Sequence, residues 1–392
     1  MLGKLRIWPL LLIALALFLP DVGPRPDHPP LRDGKECYNW RAHQAVWGGT
    51  ALPLSQKNIG SCVAVSGAGV CDGENAMAYL AGKLKQKPLR VAPEGIYGGR
   101  AEVAGREQRG GDGWYGAAFA QYVTEVGGMV FQKNYPEYGI DLSGGYTVAR
   151  CREWGQYGNG GQKDGINGPF DAEARKNKFD KRARISNLDE LIAALENYHF
   201  VETCSGIGFD SPRDKDGFCA RRGSWSHAQF FAGRRTKDVS GRDGFLVVNS
   251  WNGYIPGDGP NSKNKYPADQ PDGTYWVTPA DALAMLRAGD SWAVTYGEFK
   301  AARELPWMHV EHAQVPREIV EPDEIGDAVE PLSKVEKPSD LFKELVKPVA
   351  VEEFENLNGI AKPLPATVQE IKKVQTACAN GSCGYSRRRW FR

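Results

Sequence analysis

The stretch QKNIGSCVAVS, residues Gln56 to Ser66, sets a single cysteine between a turn and a run of small residues. Gly60-Ser61 permits a tight approach, and the small residues after Cys62 suit a helix that passes close to its neighbours. A thiol in the first turn of a helix is favoured as thiolate by unclaimed N–H groups and by the helix field. Gln56 lies six residues ahead of Cys62, and far downstream His227 stands in GSWSHAQFFAG and Asn249 in FLVVNSWNG. Nucleophile, base and orienting amide in that chain order are the requirements of a Cys-His-Asn hydrolase.

Each of these residues alone has a plainer reading. A single cysteine is often buried filler, and an asparagine at a strand end is often a turn residue. The ordered set carries the argument. His227 is the one histidine in a compact strand-like setting; His28 and His43 lie near the start, His199 at a helix exit, and His309 and His312 ahead of the tail. The chemistry assigns His227 as the base for Cys62, giving a thiolate–imidazolium pair. Asn249 holds the imidazole tautomer, and Trp251 covers that bond. The Gln56 side-chain amide and the Cys62 backbone N–H bind the oxyanion.

Composition is that of an ordinary globular chain. The protein has 392 residues, 25% charged and 41% hydrophobic, with a net charge of +1, so no global field steers it to nucleic acid. Eight cysteines are too few for a disulfide scaffold of this length. Cys204 and Cys219 bracket a short polar loop and are the first candidates for a bridge. No ligand set for a metal is evident, Cys378 and Cys383 alone being too few, and no cofactor is expected.

MLGKLRIWPLLLIALALFLP opens the chain with Lys4 and Arg6 ahead of the apolar run Ile7 to Leu19. That run is shorter than the roughly 20 residues of a spanning helix, so residues 1–20 read as a secretory signal or short membrane anchor, and the chain as exported. Residues 21–44 read as a linker and lead-in, with a strand expected between Cys37 and Leu54. A central crowded helix is expected after Cys62 and a second over Trp114 to Val126, and residues 134–180 read as a long decorated loop. Ser186 to Asn197 is the cleanest helix signal, capped by Ser186 or Asn187. From His199 short aromatic and β-branched runs bounded by glycine indicate strands, with 254–273 as a surface insertion. Residues 301–392 read as an acidic, proline-containing disordered tail with a basic end at Arg387 to Arg389.

At these motifs the sequence resembles the papain-like cysteine peptidases. That family places a glutamine six residues before its cysteine, Gly-Ser directly ahead and a small-aromatic-serine stretch after. Gln56, Gly60, Ser61, Cys62, Ala64 and Ser66 match it. SHAQFFAG is similar to the family's histidine strand, VVNSW to its asparagine segment with Asn249, Ser250 and Trp251, and RGGDGWYGAAFAQYV to its Gly-Gly turn and helix. The resemblance spans about residues 45 to 290 within an expected peptidase domain over 45–300. It implies an α+β fold of two lobes, a helical left lobe and a β-barrel-like right lobe, with the cleft between them. It also implies that the Gly110 and Gly111 backbone binds an extended peptide or protein substrate. Val63 stands where the family has tryptophan and Ile59 where it has a further cysteine, and the span from His227 to Asn249 is long. The family's long inhibitory propeptide has no room ahead of Gln56, so latency is expected from the acidic tail if anywhere. Besides peptide-bond hydrolysis, two readings share these residues: an amidase or transpeptidase acting on cell-wall or other peptides, and an inactive papain-like binding protein.

Overall fold

The computed structural model describes residues 32–33, 35–48, 52, 54–103, 112–159, 169–253, 264–296 and 308–309. All of them belong to the compact unit Met1–Glu321. The signal-like segment, Gly110 and Gly111, the first half of the 254–273 insertion and the tail with Cys378 and Cys383 lie outside the described residues.

The organising element is α2, Cys62–Leu80, in which every residue from Cys62 to Ala78 is buried. A helix buried all round has to let its neighbours in. A Cβ on Gly69 would lie 2.6 Å from Phe230, and one on Gly73 would lie 2.4 Å from Phe200. These glycines are close-approach positions, and the sequence expectation of a crowded central helix holds. Two buried acids of α2 tie it sideways. Asp72 accepts from Arg90 Nε at 2.8 Å and from the Val91 N–H at 2.7 Å. Glu74 accepts from the Phe200 N–H at 3.1 Å and faces His199 Nδ1 at 3.2 Å.

The strands of the unit are β1 (Arg32–Asp33), β2 (Glu36–Cys37), β3 (Asn134–Tyr135), β4 (Ile140–Asp141), β5 (Lys181–Arg184), β6 (Val201–Ile207), β7 (Ser224–Arg235), β8 (Gly244–Val248), β9 (Thr274–Val277), β10 (Asp290–Thr295) and β11 (Met308–His309). Around α2 stand α1 (Arg41–Trp47), α3 (Pro93–Gly98), α4 (Gly116–Gln121), α5 (Val148–Tyr157), α6 (Pro169–Arg175), α7 (Leu188–Glu196), α8 (Lys237–Ser240) and α9 (Pro279–Ala288).

One antiparallel sheet runs β1-β2-β7-β6-β10-β5-β11, with β8 and β9 branching from the other edge of β7. These pairings do not close into a barrel among the described residues, so the architecture is α+β with an open, branched sheet. β7 is long enough, at 12 residues, to hold β6 and β2 along one edge and β8 along the other. Its length makes it the second organising element, and α2 lies against it.

Apolar side chains form separate cores on the two sides of the sheet. The larger joins α2, α1 and the α4 region to Phe230, Ala228 and Trp276. The second lies under α7 and α9, with Phe231, Val247 and Tyr275. A small third core joins Trp154, Phe170 and Tyr135.

Several expectations need correction. The lead-in is not one strand: it forms a two-residue strand, β2, followed by a helix, α1, with Trp40 and Cys37 fully buried. The expected helix over Trp114–Val126 begins at Gly116 and widens into a π-helical turn over Tyr122–Val126. Residues 134–180 are not one long loop: they hold the β3–β4 hairpin, α5 and α6. The second half of the 254–273 segment is pinned to the body, since Arg41 grips Asp269 at 2.7 and 2.8 Å and Gln270 is buried. Cys204 and Cys219 are thiols. They sit against opposite cores, with the sheet between them, so spacing along the chain misled. At α7 the sequence reading holds. Asn187 caps the helix, accepting from the Glu190 N–H at 3.0 Å, and Glu190 reaches back to the Ser186 N–H at 2.6 Å.

Candidate active site

Cys62 is the first residue of α2 and Ser61 its N-cap. One helical turn on, Ser66 faces the same way and donates to the Gln229 carbonyl on β7 at 3.1 Å. That bond sets the register of the helix start against the strand that carries His227. The Cys62 sulfur lies against the backbone N–H groups of Val63 and of Ala228, the residue next to His227. The structure thus places the Cys62 sulfur against the residue that follows His227 on β7.

His227 Nε2 is 2.9 Å from Asn249 Oδ1. Asn249 follows β8, and its own N–H donates to the Gly273 carbonyl at 2.9 Å. Asn249 Oδ1 also accepts from the Ser250 N–H at 2.8 Å. A backbone N–H can only donate, so the atom facing both partners is the amide oxygen. His227 Nε2 must therefore carry the hydrogen, which leaves Nδ1 of the neutral ring as the acceptor. Trp251 stacks on the imidazole with centroids 4.3 Å apart and planes at 26°. Trp225 stands edge-on to Trp251 at 5.1 Å and to His227 at 5.5 Å. The two indoles wall the imidazole and shelter its bond to Asn249 from water.

Gln56 is fixed from both ends of its amide. Oε1 accepts from Ser250 Oγ at 2.7 Å and from Trp251 Nε1 at 3.1 Å; Nε2 donates to the Ile59 carbonyl at 3.0 Å. An indole N–H is a donor only, so the amide orientation is settled and the second Nε2 hydrogen is left over. The main chain of Gln56 is tied to the same segment by a 2.8 Å bond from its N–H to the Ser250 carbonyl. Ser55 bridges to Trp251 beside it. One short segment, Asn249 to Trp251, thereby holds both His227 and Gln56.

Burial governs the electrostatics. Cys62 is 8% exposed and its thiol is pushed up to about 11, mainly by desolvation, with the facing backbone N–H groups pulling the other way. His227 is 6% exposed and is drawn down to about 4 by desolvation, with the Asn249 bond opposing. Both shifts favour neutral groups.

Four of the expected site residues and the supporting Trp251 are thus clustered; Gly110 and Gly111 lie outside the described residues. Two contributors were missed. Trp225 stands two residues before His227 on one strand, a spacing that puts both on the same face and was readable. Tyr146, whose hydroxyl lies 3.0 Å from the Gln56 carbonyl and 2.9 Å from Ser61 Oγ, comes from a stretch without periodicity and gave no signal. No group of three or more metal-binding side chains occurs among the described residues. No helix among them is long and apolar enough to cross a membrane.

No protein-family model matches the sequence, and no curated protein is similar to it at a significant level. Among solved structures it is similar to xylellain, a cysteine protease from Xylella fastidiosa, at 17% identity and a TM-score of 0.41, over 62% of this chain and 82% of that one. The digestive procathepsin L 3 of Tenebrio molitor larval midgut aligns at 12% identity and 0.41, over 70% and 73%. The bromelain protease from Ananas comosus aligns at 13% and 0.40, over 68% of this chain and all (100%) of that one.

Proposed function

We propose that the chain is a cysteine peptidase with a papain-like active site, acting on peptide or protein substrates. The observation that carries this reading is the tautomer lock. Asn249 fixes the proton of His227 on Nε2 and leaves Nδ1 as the acceptor, while the Cys62 sulfur lies against the N–H of the next residue, Ala228. As the sulfur attacks the peptide carbonyl carbon, its proton passes to Nδ1, so the thiolate–imidazolium pair arises with the reaction. The oxyanion meets the Cys62 N–H and the unclaimed Gln56 N–H. The imidazolium then gives its proton to the leaving nitrogen, the C–N bond breaks, and a thioester remains. Water attacks the thioester with Nδ1 as base, releasing the acid and restoring the thiol.

The finer expectations follow the same reading. They are a peptidase domain over 45–300 with the cleft between two lobes, Gly110 and Gly111 binding substrate backbone, and export or membrane attachment through residues 1–20. The inactive scaffold is the second reading, favoured by the shifts of Cys62 to about 11 and His227 to about 4. A panel of quenched fluorescent peptides tests the proposal. Cleavage by the wild type and none by Cys62→Ala supports it. A folded wild type inert toward the whole panel contradicts it.

A further inference from the structure

Tyr146 lies just ahead of α5, at the end of a turn through Gly145, whose φ is +77°. The next residue anchors it. The Thr147 N–H donates to the buried Glu94 carboxyl at 2.7 Å, and the Thr147 hydroxyl caps α5 by accepting from the Arg150 N–H at 3.3 Å. So held, the Tyr146 hydroxyl reaches the loop that runs from Gln56 to the nucleophile. It lies 3.0 Å from the Gln56 carbonyl and 2.9 Å from Ser61 Oγ.

The proton positions follow from valence. A carbonyl oxygen only accepts, so Tyr146 spends its single proton on Gln56. Ser61 must then donate its own to Tyr146. The chain Ser61→Tyr146→Gln56 ties both ends of the oxyanion loop to one phenol.

This has a consequence at the helix start. A serine at an N-cap ordinarily accepts from the second or third N–H of the helix. Ser61 makes no such bond. Its hydroxyl is engaged by Tyr146, and the Val63 N–H faces the sulfur of Cys62. The cap is forgone where unclaimed N–H groups serve the nucleophile.

On the peptidase reading, we propose that Tyr146 is a positioning residue. It holds the Gln56 main chain so that its amide faces the oxyanion, and it keeps the Ser61 hydroxyl off the first-turn N–H groups. It acts through Gln56 and Ser61.

The test compares the full-length wild type with Tyr146→Phe in peptide cleavage and in binding of a peptide aldehyde, whose adduct with Cys62 places an oxyanion in the site. The expected result is a kcat about tenfold lower, with KM within about twofold, and aldehyde affinity weakened by about the same factor. Incorporating 4-aminophenylalanine at position 146, which keeps the shape and a donor, restores most of both. In the Tyr146→Phe background, Ser61→Ala removes the competing cap and returns the rate of Cys62 alkylation by iodoacetamide toward wild type. Unchanged aldehyde affinity in Tyr146→Phe overturns the proposal, as does a matched fall in kcat and melting temperature without rescue by the donor analogue. A wild type that forms no aldehyde adduct at Cys62 removes the peptidase reading, and this proposal with it.

Discussion

Replacing Asn249 by alanine isolates what the tautomer lock contributes. Asn249 Oδ1 accepts from His227 Nε2 at 2.9 Å and from the Ser250 N–H at 2.8 Å, in a site where Asn249 is fully buried. A neutral buried hydrogen bond contributes roughly 1 kcal/mol, and one to a charged group about twice that. His227 is neutral before attack and cationic after it, so the substitution raises the barrier by at least about 1 kcal/mol more than it destabilises the ground state. The wrong tautomer adds to this. We expect kcat/KM to fall about 10- to 100-fold. The orphaned Nε2–H costs about 1–3 kcal/mol of stability, so the melting temperature should drop by several degrees. The pH profile gives the sharper check. The Asn249 bond raises the His227 pKa against a larger desolvation effect. Its loss lowers the pKa further, so the acid limb of kcat/KM moves below about 4. A variant within threefold of wild type, or an acid limb that moves upward, would refute the reasoning.

Three further outcomes are expected. On the proposed mechanism Gln56→Ala removes an oxyanion donor and should lower kcat by about 10²–10³-fold with KM little changed, read from steady-state kinetics; a change confined to KM would assign Gln56 to ground-state binding instead. In the wild type His227 is neutral above about 4 and Cys62 holds its proton to about 11, so cleavage should rise through pH 4 while alkylation by iodoacetamide keeps climbing toward pH 11; a flat alkylation rate between pH 5 and 8 would instead indicate a standing ion pair. Glu102 is buried beside Asp171 and is pushed up to about 9 by desolvation first and by that neighbour second. A carboxyl whose folded pKa exceeds its unfolded value stabilises fully below the unfolded value and loses that contribution as pH rises through the folded one. Glu102→Gln should therefore flatten the decline in melting temperature toward pH 9, and an unchanged decline would show that Glu102 does not drive it.

The candidate site was legible as a cluster because the chemistry proposed for it demands residue types that few other roles demand together. A glutamine, a cysteine after Gly-Ser, a histidine on an apolar strand and an asparagine before Ser-Trp announce themselves by identity and order. The cap of α7 and the burial of α2 were legible for a similar reason, since local pattern and helix packing agree there. Helix α1 was read as a strand because Trp40 and Trp47 favour strands and the helix, at 7 residues, is too short to show a period. Helix α5 was lost among the glycines and polar residues of its surroundings, although Cys151 and Trp154 mark its buried side. The proposed Cys204–Cys219 bridge failed because distance along a chain says nothing about which face of a sheet a side chain meets. Tyr146 escaped because its proposed role rests on one hydroxyl reaching the Gln56 carbonyl and Ser61, 90 and 85 residues away.

The central claim is that His227 activates Cys62 as a nucleophile, and covalent labelling tests it most directly. Full-length protein would be treated near pH 7 with a peptidyl epoxide, with the adduct located by peptide mass mapping and with Cys62→Ala and His227→Ala as controls. The account predicts one adduct, at Cys62, forming quickly in the wild type and lost in both variants. Labelling that persists at an equal rate in His227→Ala, or an adduct at another cysteine in preference to Cys62, would contradict it.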